Sequence, residues 1–239
     1  MTREQPKQAP PPVQRLRVRY AKRGRLRFTS HRDFSRAFER AVFRARLPMA
    51  YSSGFNPHPR ISYAGASPTG SASEAEYLEL AMAEVVDPAS VHAALDVAMP
   101  DGLDIVEVVV APGGRLADLL HASRWRIVLP VPVEEAEAAV AAFLAAGEVL
   151  VQRMTKKGLR DFDSRAAVLS LVVAPEEGGA VLDLVLRHLE PAVRPDDVLS
   201  GLTSLHGLDL VGVPLLTRLA QGPLDPDTGE IGDPLRISK

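Results

Sequence analysis

Cysteine is missing from all 239 residues. That excludes a disulfide framework, a thiolate zinc site and any Cys-ligated iron–sulfur cluster held by this chain. No apolar run approaches the roughly 20 residues of a membrane span, and the polar, Pro-rich N-terminus has no apolar centre of the secretory kind. A cytoplasmic protein that makes no use of the membrane is expected. Gly-rich phosphate loops, HExxH, nucleophile elbows and kinase motifs are also missing. Acids are scarce in one region: residues 1–60 contain only Glu4, Asp33 and Glu39 against 15 Lys and Arg, which leaves 13 basic and 27 acidic residues for the rest. A net charge of −2 therefore conceals one strongly basic end. Such an asymmetry suits a surface aimed at a polyanion such as RNA; a merely solvated arginine face is the alternative.

What is present divides into regular segments. The chain is 46% apolar, enough at this length for one large core or two ordinary ones. Residues 1–14, with Pro10-Pro11-Pro12, have too little apolar surface to offset their chain entropy and are expected to be disordered. Leu16, Val18 and Tyr20 alternate with Arg15, Arg17 and Arg19, the period of a strand with one buried and one basic face. After a turn at 22–25, Leu26 and Phe28 resume the alternation, so Arg25 and Arg27 are expected to join that basic face. Ser30 and Asp33 mark a helix start, and Phe34, Ala37, Phe38, Ala41, Val42 and Ala45 form an apolar stripe at helical period. Arg32, Arg36, Arg40 and Arg44 recur every fourth residue along its flank, and Pro48 ends the helix. The predicted nucleic-acid face thus comprises Arg17, Arg19, Arg25, Arg27, Arg36, Arg40 and Arg44.

Strands over 60–64 and 76–82, a helix over 88–99 capped by Asp87, and a strand over 103–110 complete a β-α-β-β-α-β order. The second half repeats it, with strands at 125–131, 150–154, 165–174, 180–187 and 208–219 and helices at 133–146 and 194–205. The fold class expected is α+β, two tandem ferredoxin-like sandwiches over 15–111 and 122–219, joined near 112–121 and followed by a flexible tail over 220–239.

Polar residues beyond the needs of a fold concentrate between Ser30 and Tyr77. Gly54-Phe55-Asn56-Pro57-His58-Pro59-Arg60 is too stiff for a helix and too polar for a core strand, because each proline fixes φ and lacks an N–H. Ser53, Asn56, His58 and Arg60 are expected near His31 and Arg32 at the helix head, forming a site for an anion or for acid–base chemistry. A catalytic role is open, with His31 and His58 as the candidates; no metal site is expected, since no carboxylate stands at ligand spacing from both. Glu74, Glu76 and Glu79 are counter-ions to the arginines or receive a cationic ligand group, for which Glu76 is the candidate. In the second half, Lys157, Arg160, Asp163 and Arg165 lie in a polar loop suited to phosphate, with Asp161 and Asp163 expected to orient Arg160 and Arg165. A solvated hairpin tip is the alternative there.

Phe28-Thr-Ser-His-Arg-Asp-Phe34, Tyr51-Ser-Ser-Gly-Phe-Asn-Pro-His-Pro-Arg60, Ser73-Glu-Ala-Glu-Tyr77 and Lys156-Lys-Gly-Leu-Arg-Asp-Phe-Asp163 with Arg165 resemble the radical-SAM-linked domain of unknown function. In some bacteria that domain is fused behind a cobalamin-type radical-SAM protein. The resemblance covers roughly residues 15–219; Arg32 stands where that family commonly has Leu, and Ser164 and Ala166 where it has Ile and Pro. It implies no cofactor in this chain, with S-adenosylmethionine, cobalamin and an iron–sulfur cluster supplied only through a separately encoded radical-SAM partner. Two functions from different classes follow: a non-catalytic module that binds RNA, or an RNA-bearing particle, and presents it to that partner; or a metal-independent endoribonuclease, similar in fold order to the enzymes that process CRISPR repeat RNA, with His31, Tyr20 and Lys22 as its proton-moving groups. A small-molecule or peptide-binding scaffold is a third reading.

Overall fold

The computed structural model describes residues 8–236 apart from 157, 209 and 211. It divides into two compact units, one running to Asp118 and taking up the segment from Pro234, the other spanning Leu119–Asp233.

The first unit is built from β1 (Gln14–Lys22), α1 (His31–Arg44), β2 (Ile61–Ala64), β3 (Ala72–Met82), α2 (Pro88–Ala98) and β4 (Ile105–Val110). Its strands lie in the order β4-β1-β3-β2, and each neighbouring pair is antiparallel. The alternation in β1 is realised physically. Leu16, Val18 and Tyr20 are buried in a core with Phe34, Phe38 and Val42 of α1, Leu78, Leu80 and Met82 of β3, and Leu95 of α2. Helix α1 starts because Ser30 Oγ accepts the Asp33 amide at 3.2 Å and donates to its carboxylate at 2.7 Å. It ends two residues before Pro48 is reached, where Arg46 takes a left-handed φ of 50°. One expected piece differs: residues Gly24–Phe28 form a 3-10 helix rather than a continuation of extended structure. Arg25 and Arg27 consequently do not share a face with Arg15, Arg17 and Arg19, and the Arg27 guanidinium lies 4.8 Å over the ring of Phe28.

The second unit contains β5 (Ala122–Leu129), α3 (Val133–Ala145), β6 (Leu150–Thr155), β7 (Gly158–Asp163), β8 (Val168–Glu176), β9 (Gly179–Arg187), α4 (Pro195–His206) and β10 (Leu215–Gly222). Four of these pair antiparallel in the order β10-β5-β9-β8, which reproduces the 4-1-3-2 order of the first unit. The two units are tandem ferredoxin-like sandwiches in an α+β fold. Their difference is β6-β7, a separate two-stranded hairpin between α3 and β8. Strand β7 falls where the sequence suggested a loop, because its Arg160, Asp161 and Asp163 mask the pattern; Phe162, the residue that faces inward with Val151, is buried. The final strand begins at Leu215, later than expected, and its ladder with β5 runs on to Gly222 against Ala122. Beyond it the Asp225 carboxylate accepts the amides of Asp227 and Thr228, and a bridge joins Leu224 to Ile231. These residues fall in the segment expected to be a flexible tail, as does Leu235, which is buried.

Candidate nucleic-acid interface

The arginines of the basic end have separate fates. Arg17 is fully buried on the outer face of β1, where its Nε donates to Glu79 Oε2 at 3.5 Å, its Nη1 to the Pro234 carbonyl at 3.0 Å, and its Nη2 to the carbonyls of Gly113 and Gly114 at 2.7 and 3.1 Å. Arg15 pairs with the other oxygen of Glu79 at 3.0 Å, and Arg19 pairs with Glu107 at 3.4 Å. Arg23 is held between Glu74 and Asp104, whose hydrogen bonds and charges raise its pKa further. Arg17 therefore cannot meet a phosphate, and Arg19 meets none without giving up Glu107, so neither belongs to a nucleic-acid face. Alternation correctly placed both opposite the core, but other segments cover and neutralise that side. A cleft of about 900 Å³ does open there, between Gln14, Arg15, Ser62 and the 113–117 segment, with the paired Arg15 and Glu79 in its wall.

The positive charge left available lies along α1. Arg36, Arg40 and Arg44 are exposed. Among the described residues no carboxylate comes within ion-pair reach of Arg36 or Arg40, while Arg44 donates to the Ala98 carbonyl at 2.5 Å, the end of α2. These three arginines line a groove of about 750 Å³ together with Glu39, Phe43, Tyr51 and Pro59, over a floor at Val42. Two apolar rings stand in water at its rim: Phe43 is 80% exposed and Tyr51 43%.

The Pro-bracketed loop forms the second wall of that groove. Its base is a small hairpin, in which Arg60 N–H donates to the Ala50 carbonyl, Ser52 N–H to the His58 carbonyl, and His58 N–H to Ser52 Oγ, while Tyr51 bridges Pro59. Ala9 N–H donates to Ser53 Oγ at 2.9 Å. Asn56 and His58 are exposed and Arg60 is half-buried.

The expected union of this loop with His31 and Arg32 does not occur. A right-handed crossover makes β2 run in the direction of β1, so the chain enters β2 at the level where β1 begins, with Ile61 and Leu16 both opposite Leu80. Helix α1 starts at the far end, where β1 finishes. His58 therefore lies toward the C-terminal turns of α1 and His31 at its first turn, separated by most of a 14-residue helix, roughly 20 Å. His31 instead packs its ring edge-on against Tyr63 at 5.0 Å. Burial pushes the Tyr63 phenol up to about 12, so it stays protonated and is a poor base at neutral pH. Tyr20 and Lys22, the other proton-moving candidates, are both buried, with Tyr20 stacked on Phe34 and Lys22 Nζ donating to the Pro68 carbonyl.

Two further expectations are corrected. Glu76 is buried and its Oε2 accepts the Ser67 amide at 3.1 Å, so it secures a loop and does not receive a ligand. In the second unit, Asp163 Oδ1 accepts the amides of Val149, Arg165 and Ala166, Asp161 accepts from Gln152, and Arg165 donates to the Val168 carbonyl. The aspartates thus fold the hairpin instead of orienting Arg160 and Arg165. Lys157 lies outside the described residues; Arg160 is exposed opposite Arg153. Arg153 is the residue sequence reasoning missed: it pairs with buried Asp197 of α4 and lies 4.0 Å over the Phe162 ring, tying the hairpin to the unit. Its position inside an apparently polar strand gave no signal.

An α+β pair of ferredoxin-like sandwiches with one arginine-lined groove is the class of protein that this geometry defines. Residues 15–195 match the family described as "Uncharacterized protein conserved in bacteria (DUF2344)", and the chain belongs to that family. No curated protein matches it. Among solved structures, a chain of "Crystal Structure of a Cbf5-Nop10-Gar1 Complex" is similar, with a TM-score of 0.46 and 14% identity over 89% of this chain and 50% of that one. No helix of the described residues is long and apolar enough to cross a membrane.

Proposed function

We propose that this chain is an RNA-binding module, with α1 and the 51–59 loop as its contact surface, that presents RNA to a separately encoded radical-SAM enzyme. One observation carries the RNA reading. Of the arginines concentrated in the basic end, those on β1 are neutralised within the fold, whereas Arg36 and Arg40 are exposed without a carboxylate partner among the described residues, beside two exposed aromatic rings. Cationic side chains beside solvent-facing rings are the combination that single-stranded nucleic acid requires, phosphates taking the charge and bases taking the rings. The partner enters by a second argument. A chain without cysteine supplies no thiolate for the iron–sulfur cluster of radical chemistry, so S-adenosylmethionine, the cluster and cobalamin would belong to the other polypeptide.

Filter binding of single-stranded RNA at two salt concentrations tests the first part. Steep weakening with salt supports it, while a flat response or equally tight binding of a neutral ligand overturns it. Cleavage of that RNA in metal-free buffer, lost in His31→Ala, would move the protein to the endoribonuclease class instead. Co-purification of tagged chain with a radical-SAM protein from cells tests the second part, and its repeated failure would leave only the binding module.

A further inference from the structure

The groove on α1 contains one group that a simple phosphate-binding surface would avoid. Glu39 lines it, exposed, between Arg36 and Arg40 in sequence and one helical turn before Phe43. Among the described residues its carboxylate makes no ion pair with either arginine, so it does not serve to neutralise them. Its nearest titratable influence is on the Tyr63 phenol, whose deprotonation it opposes. An acceptor-only group in a basic groove repels phosphate and needs a neutral donor edge. The groove's volume, about 750 Å³, falls within the roughly 300–1,000 Å³ of small-ligand sites. Its rim is set by Phe43 and Tyr51, and its floor by an apolar side chain, Val42.

We infer that this groove takes a single guanine base from a single-stranded RNA; the inference rests on the RNA-binding reading above and names its substrate. Guanine is the base whose pairing edge offers two adjacent N–H donors, N1–H and the N2 amino group, which match the two oxygens of one carboxylate. Adenine presents an acceptor at N1 beside its amino group, and uracil presents carbonyl oxygens on both sides of its single N–H, so each places an acceptor against Glu39. Phe43 and Tyr51 supply the apolar stacking faces, which favour any base equally. Arg36, Arg40 and Arg44 take the flanking phosphates, which fix position and carry no sequence information.

The test uses the full chain and four eight-residue oligouridylates that carry guanosine, inosine, adenosine or uridine at one central position, titrated at a single moderate salt concentration. The guanosine oligomer is expected to bind about tenfold tighter than the uridine and adenosine ones, the scale of one good bidentate base contact, with inosine between them because it keeps N1–H and lacks the amino group. Glu39→Gln should flatten this order while leaving the slope of affinity against salt unchanged. Phe43→Ala and Tyr51→Ala should weaken all four oligomers alike. Because all three side chains are exposed, unchanged circular dichroism and melting are expected for each variant. Equal affinity for the four oligomers with a steep salt response overturns the guanine pocket and leaves the RNA-binding reading standing. A preference that persists in Glu39→Gln overturns it as well. Failure of every oligomer to bind at low salt removes both.

Discussion

Arg17 and Glu79 stand opposite each other across β1 and β3, with Arg17 Nε 3.5 Å from Glu79 Oε2 and no part of the guanidinium in water. Charge that the composition offered to an outside polyanion is spent here on the fold. Replacing Arg17 by Ala leaves a buried carboxylate and three carbonyls short of a donor, so a loss of about 3–5 kcal/mol is expected, the range for breaking one side of a buried pair. Urea unfolding measures it. Arg36→Ala, on an exposed helix face, should stay within about 0.5 kcal/mol of the parent.

The same contrast predicts the salt response. Arg36→Ala and Arg40→Ala should each lower the log–log salt slope of single-stranded RNA binding by about 0.7, because each removes one phosphate contact. A folded variant at Arg19, whose guanidinium is taken by Glu107, should leave the slope unchanged. Equal effects from all three positions would show that the groove is not the contact surface.

His31 and His58 occupy opposite ends of α1, so they should behave as independent sites. The effects of His31→Ala and His58→Ala on RNA affinity are expected to add within about 0.5 kcal/mol in the double variant. A coupling energy well above that would require the two imidazoles to share one ligand.

Acid should weaken the second unit through His188. Burial, with the charges of Arg218 and His121 in support, holds its pKa below the ordinary 6.5 despite the hydrogen bond from the ring to the Leu120 carbonyl. Nδ1 lies 2.8 Å from that carbonyl and carries the proton, leaving Nε2 to accept from Ser123 Oγ at 3.0 Å, while Ser123 accepts from Trp125 Nε1. The unfolded chain binds the extra proton first, so this stability is complete above about pH 6.5 and declines as pH falls toward the lower folded value. The urea midpoint should fall between pH 7.5 and 5.5 in the parent, and less so in His188→Gln.

Gly201 on α4 marks the closest approach of that helix to its neighbours. A Cβ there would sit 2.8 Å from the Phe143 ring, 2.9 Å from Ser164 Oγ and 3.0 Å from Val149. Gly201→Ala should therefore destabilise by about 1–3 kcal/mol, against the gain in helix propensity that alanine brings elsewhere. Thermal melting decides the sign.

The sequence by itself determined the features that depend on a few neighbouring residues. Alternation at Leu16, Val18 and Tyr20 specified a half-buried strand, the stripe from Phe34 to Val42 specified an amphipathic helix, and Ser30 with Asp33 specified where that helix starts. The repeated β-α-β-β-α-β order then specified two ferredoxin-like units, and the four-residue spacing of Arg36, Arg40 and Arg44 placed them on one helix flank. Strand β7 escaped because only Phe162 among its central residues is buried, too little to show a period. Only the tertiary structure decided what covers each polar face. Alternation shows that Arg17 points away from the helices, but the carbonyl that receives its Nη1 belongs to Pro234, 217 residues along the chain. Likewise the positions of His31 and His58 follow from the direction in which a crossover returns the chain to β2. Such partners are brought together by the closing of the fold, and local spacing carries no record of them.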